Sequence, residues 1–173
     1  MRSQGRGTEP RRAPELTSKQ EKQMSTSAAI GVAQADGTIK ATFLMNDSRE
    51  ASAVTILPGW YNSQEKADAL LALGPLYQLG TKIAPDPNKH HSFEKPQPDV
   101  VLAFTRDRDH FWQNEPYSYH IFKSREDFAK KAPKEMHVTT LHLFENGCWL
   151  FRGEWMKPGE WYCIEVVFVE DKK

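Results

Sequence analysis

At 173 residues, with 39% hydrophobic and 11% aromatic side chains, the chain holds enough apolar material for one sizeable core. Twenty-three basic residues balance twenty-three acidic ones, which excludes the global field of a nucleic-acid or anionic-membrane binder and equally the acidity of a DNA mimic. No apolar run reaches the length of a membrane-spanning helix.

Residues 1–23 mix Arg2, Arg6, Arg11 and Arg12 with Gly, Pro, Ser and Gln. They carry too little apolar surface to offset the entropy of ordering and no apolar stretch of a secretory leader, so they read as a disordered extension, with Met24 as the original start. Residues 24–173 read as one domain. With only Cys148 and Cys163 in the chain, a reducing cytoplasm is the expected compartment.

The domain opens on a strand from Ala28, a turn at Asp36-Gly37 and a second strand, Thr38 to Leu44. Asn46-Asp47-Ser48 is placed to cap a short helix from Arg49 to Leu57, stopped by Pro58-Gly59. A second helix starts at Asn62 or Ser63 with Ala67, Leu70, Leu71 and Leu73 as its apolar stripe, and ends at Gly74-Pro75. Leu76 to Ile83 reads as a short strand or extended connection. Pro85, Pro87, Pro96 and Pro98 mark 84–98 as a long loop, of the kind that tends to be functional or mobile. Val100 to Phe104 is expected to pair with Tyr117 to Phe122 across a charged tip at Arg106-Asp107-Arg108-Asp109. Ser124 and Asp127 then open a helix through Ala132.

The last third is the most explicit. Asn146-Gly147 supplies the two positive φ values of a two-residue hairpin turn, pairing Phe144 with Trp149 and His142 with Phe151. A five-residue turn over Met156 to Glu160 would pair Trp155 with Trp161, Gly153 with Cys163 and Phe151 with Glu165. The fold expectation is therefore α+β: a mainly antiparallel sheet, about three helices and a carboxy-terminal three-strand meander.

In that register Leu141, Leu143, Leu150, Ile164, Val166 and Phe168 form a core face. The other face holds Phe144, Trp149, Phe151, Trp155 and Trp161, with His142 and Glu165 as polar members. Either helices cover these rings as a second core, or they form a recognition surface extended by Arg152, since aromatics and arginine dominate interface hot spots. Too few cations interleave with the rings for a nucleic-acid platform.

Met24-Ser25-Thr26-Ser27-Ala28, the Asp36-Gly37 hairpin, Tyr61-Asn62-Ser63-Gln64-Glu65-Lys66, Leu71-Ala72-Leu73-Gly74 and Leu79-Gly80 together resemble a family of small uncharacterised proteins carried by phages and other mobile elements. The likeness spans residues 24–83, with a looser echo in the Phe144 to Phe151 hairpin. Asn46-Asp47-Ser48-Arg49-Glu50 stands where that family carries a Trp-Asp-Gly-Tyr-Pro-like segment. The resemblance implies an interaction protein, such as a phage factor acting on a host component.

The expectation is a non-catalytic binding protein that holds a protein partner through Phe144, Trp149, Phe151, Trp155, Trp161 and Arg152, helped by the 84–98 loop. It has no cofactor and no metal. The alternative is a small hydrolase-like enzyme built on His142, Cys163 and Glu165, with the carboxylate fixing the imidazole tautomer and the thiol as nucleophile. Ser25, exposed by removal of Met24, is a further amino-terminal nucleophile to weigh. His90-His91 are adjacent and so diverge from any single ion, while His110 lies with Asp107 and Asp109 in another loop. No zinc-type spacing occurs.

Overall fold

The computed structural model describes residues 27–47, 52–108 and 119–164. The extension at 1–23, Ser25, the start of the first expected helix, His110 and Glu165 to Val169 lie outside them. Among the described residues the architecture is α+β, with four helices and one mixed sheet of eight strands.

Strands β1 (Ala28–Ala33) and β2 (Ile39–Asn46) form the expected hairpin, turning where Gly37 takes φ +85° and Asp36 accepts the Thr38 N–H and hydroxyl. Those Thr38 bonds, hydroxyl first, hold the Asp36 carboxyl below its usual range. The sheet runs β4 (Leu102–Ala103), β3 (Leu76–Gln78), β2, β1, β6 (Thr140–Glu145), β7 (Cys148–Gly153) and β8 (Tyr162–Cys163). Two of its pairings are parallel: β1 with β6 (Thr140–Glu145), and β2 with β3 (Leu76–Gln78). The connection from β2 to β3 carries both α1 (Ala53–Trp60) and α2 (Gln64–Leu71), as a parallel crossover requires.

Several expected boundaries move. Helix α1 runs through Pro58 instead of stopping there; the proline removes only the bond to the carbonyl of Val54, an exposed residue. Ser52 precedes α1 without a side-chain cap, and Asp47 supplies one from six residues back, its carboxylate accepting the Ala53 N–H at 2.8 Å. Strand β4 is only Leu102–Ala103 and pairs with β3, not with residues 119–122, the described part of its expected partner. It stops because the Ala103 N–H turns onto the Asp107 carboxylate at 2.8 Å, opening the one-turn helix α3 (Phe104–Asp107). Strand β5 (His120–Phe122) lies instead along Ile39–Ala41 of β2, beside the stretch that β3 occupies. Helix α4 (Arg125–Glu135) has the expected Ser124 cap on the Asp127 N–H, and Asp127 reaches back to the Lys123 N–H. It too passes through a proline, Pro133.

Helices cover both faces of the sheet's centre. On one, Ile30, Val32, Leu44, Phe144 and Trp149 pack under Ile56, Leu57, Leu70 and Leu71 of α1 and α2. On the other, Ile39, Phe122, Leu141 and Leu143 pack under Phe128 and Ala132 of α4. Burial on both faces explains why β1 reads as a nearly continuous apolar run. Gly31 is required where α4 presses closest. A Cβ there would stand 2.8 Å from Ile39 Cγ2 and 3.0 Å from Phe128 Cζ.

Tyr61 ties the first core to the loop region. Its hydroxyl donates to the Gly80 carbonyl at 2.6 Å, and its own carbonyl accepts the Trp149 indole N–H at 2.8 Å. Burial pushes the phenol pKa up to about 12, with Arg106 opposing weakly. Since the folded phenol keeps its proton above the unfolded pKa of about 10, this stability is complete below pH about 10. It is lost as pH rises toward about 12, in total no more than about 2.7 kcal/mol. Denaturant melts between pH 9 and 12 should show this alkaline loss, and Tyr61→Phe, which cannot ionise, should flatten that part of the curve. An identical pH dependence in the variant would contradict the assignment.

Candidate functional site

The third strand of the meander departs from expectation. Strands β6 and β7 (Cys148–Gly153) pair as the Asn146-Gly147 turn dictates, Phe144 with Trp149 and His142 with Phe151, with φ +52° and +76° at the turn. Strand β8 (Tyr162–Cys163), however, pairs Leu150 with Cys163 and Phe151 with Tyr162. The connection is not a five-residue turn. One turn closes from the Met156 N–H to the Gly153 carbonyl and a second from the Glu160 N–H to the Lys157 carbonyl, the latter around Gly159 at φ +81°. The resulting slip is an odd number of residues, so every β8 side chain changes face.

The expected aromatic face therefore divides. Phe144 and Trp149 are 1% and 2% exposed, their rings 5.2 Å apart beneath α1 and α2, and belong to the core. Trp161 lies on the opposite face, nearly parallel to Phe128 at 6.3 Å. Arg152 also faces that side and braces the connection, donating to the Lys157 and Glu160 carbonyls at 2.8 Å each. Phe151 and Trp155 remain on the original face, 5.9 Å apart, and Tyr162 joins them opposite Phe151. Trp155 is 73% and Tyr162 60% exposed. The Trp155 ring lies directly over Gly153, where a Cβ would fall 2.3 Å from it, so the ring has a fixed seat despite its exposure.

The Cys/His/Glu arrangement is not assembled. Cys163 is bonded to Cys148 in a disulfide, so it offers no thiolate, and its strand position faces away from His142. Glu165 lies outside the described residues. The partner of His142 is Asp47, which sequence reading took only as a helix cap: Nε2 stands 3.2 Å from the Asp47 carboxylate, the histidine side chain being 1% exposed. The His142 Nδ1 is buried without a hydrogen-bond partner among the described residues. Asp47, whose carboxylate also accepts the Ala53 N–H, thereby links the buried imidazole on β6 to the start of α1. The bonded cysteines also withdraw one argument for a reducing compartment, since disulfides persist where surroundings are oxidising.

The proline-rich loop is laced together. Gln97 accepts the Asp86 N–H and donates to the Asp86 and Lys89 carbonyls. His91 is not solvated: its side chain is buried, with Nδ1 accepting the Gln97 N–H and Nε2 turned to the Val101 carbonyl and the Asp107 carboxylate. Nor do Arg106 and Asp107 form a charged hairpin tip. The Arg106 guanidinium grips Asp107 at 2.7 Å and donates to the Ile83 and Val101 carbonyls, closing the loop's two ends together. Beside this loop, Trp60 and Thr55 of α1 and Pro96 and Pro98 line a 450 Å³ cleft.

Among the described residues no helix is long and apolar enough to cross a membrane, and no group of three or more His, Cys, Asp or Glu side chains is placed to hold a metal ion. No protein-family model, curated protein or solved structure matches the chain.

Proposed function

We propose that the chain is a non-catalytic binding protein that captures a protein partner through Phe151, Trp155 and Tyr162 at the open end of the meander. The observation that carries this reading is Trp155: a large ring exposed to solvent yet seated on Gly153 and Phe151, so that little side-chain entropy is left to lose on contact. Rigid, exposed aromatic residues of this kind are the anchors that dominate protein interfaces. The resemblance of residues 24–83 to phage-borne proteins supplies the partner class, a host protein.

The test compares the full chain with Trp155→Ala and Tyr162→Ala in quantitative capture of lysate proteins. Both residues are exposed, so melting temperatures should hold. A hot-spot anchor is worth about 2 kcal/mol or more, so truncation should weaken the captured partner about thirtyfold. Undiminished capture by both folded variants would remove these rings from the interface.

A further inference from the structure

On the opposite side of the meander, α4 and the Lys157–Glu160 turn enclose a 390 Å³ cleft lined by Trp161, Ala129 and Pro158. Its shape is fixed from both sides. Arg152 holds the turn by two carbonyl bonds, and the Trp161 ring rests on Phe128, which is wholly buried in the second core. The ionisable residues that line it are Arg125, Lys130, Arg152 and Glu126, three cations against one carboxylate in a chain whose net charge is zero, and Lys157 and Glu160 of the turn cancel in charge. Arg125 already has a carboxylate, Glu145, at 3.2 Å, whereas Lys130 has none within ion-pair reach among the described residues. An apolar seat beneath an excess of positive charge selects an occupant with the complementary pattern.

We propose that this cleft binds an acidic segment of a partner protein that seats one apolar side chain against Trp161 while its carboxylates meet Lys130 and Arg152. A polyphosphate chain fits less well, because Glu126 stands on the rim and the cleft accepts about one side chain and its neighbours, not a backbone track. The site lies on the other face of the sheet from Phe151, Trp155 and Tyr162, so its failure and theirs are separable.

The experiment titrates the full chain into a fluorescently labelled hexapeptide of alternating aspartate and phenylalanine, with a lysine–phenylalanine peptide and oligothymidine as comparators. The acidic peptide should bind at least about tenfold more tightly than the basic one, and added salt should weaken it. Lys130→Glu, at an exposed position of α4, should reduce its affinity about fivefold, with Lys130→Gln intermediate. Trp155→Ala should leave it unchanged. Equal binding of both peptides, no binding of the acidic one, tighter binding of oligothymidine, or indifference to both Lys130 variants would each overturn the proposal.

Discussion

Trp149→Ala is expected to destabilise the fold by about 3–5 kcal/mol, the cost of emptying a large aromatic site from a close-packed core. Trp149 is 2% exposed, edges onto Phe144 at 5.2 Å and donates its indole N–H to the Tyr61 carbonyl at 2.8 Å. Alanine therefore opens a cavity under α1 and α2 and also strips the Tyr61 carbonyl of its donor, a further penalty for a buried acceptor. Trp149→Phe keeps most of the volume and loses only the hydrogen bond, so it should fall well short of the alanine loss. Chemical denaturation of both variants checks the order. A loss in Trp149→Ala no larger than that in Trp155→Ala would mean that Trp149 does not occupy the core. The contrast between these tryptophans also governs any binding experiment. A partner lost on replacing Trp149 reports on folding, whereas one lost on replacing Trp155 reports on contact.

Arg106→Met is expected to cost about 3–5 kcal/mol, because it leaves the Asp107 carboxylate buried without its cation. The Asp107 side chain is 3% exposed, and His91, equally buried, stands 3.4 Å away with its proton-bearing nitrogen also turned to the Val101 carbonyl. The same guanidinium satisfies the Ile83 and Val101 carbonyls, so three groups lose a donor at once. The effect should be concentrated locally. Amide exchange between residues 82 and 101 should accelerate more than in β1 or β6, because Arg106 joins the two ends of that loop. The Arg106→Met/Asp107→Asn double variant should recover part of the loss, since no bare charge then remains. Uniform acceleration across the whole sheet would show that Arg106 does not act as a local clamp.

How much of this was legible in the sequence depended on the range of the interaction. Asn146-Gly147 and Asp36-Gly37 encode their turns within two residues, and both hairpin registers followed. Ser63 and Ser124 capped helices where the local pattern placed them. The parallel pairing of β1 with β6 had no local signal, because Ala28 meets Thr140 across more than a hundred intervening residues. Strand β8 was misplaced because Met156 and Gly159 serve two successive turns, a division that composition alone does not reveal.

The candidate site suffered accordingly. An odd slip exchanged Trp161 for Tyr162 on the exposed face, and the helices that cover Phe144 and Trp149 come from more than about seventy positions earlier. The Arg106–Asp107 clamp was missed because alternating charges read as solvated unless the carbonyls they enclose are known. The bond between Cys148 and Cys163 required the true register of β8, since only then do both sulfurs share a face.

The place of β6 beside the central strand β1 has a consequence for synthesis on the ribosome. The β1–β2 hairpin can form as soon as it emerges, but the second edge of β1 is filled only when Thr140–Glu145 arrives. Until then the nascent chain presents Ala28–Ala33 as an apolar strand with one edge open, the kind of surface that recruits other chains. The interval of greatest aggregation risk thus falls during translation of the intervening segment, and a holdase chaperone acting on the newborn chain would protect it at that stage.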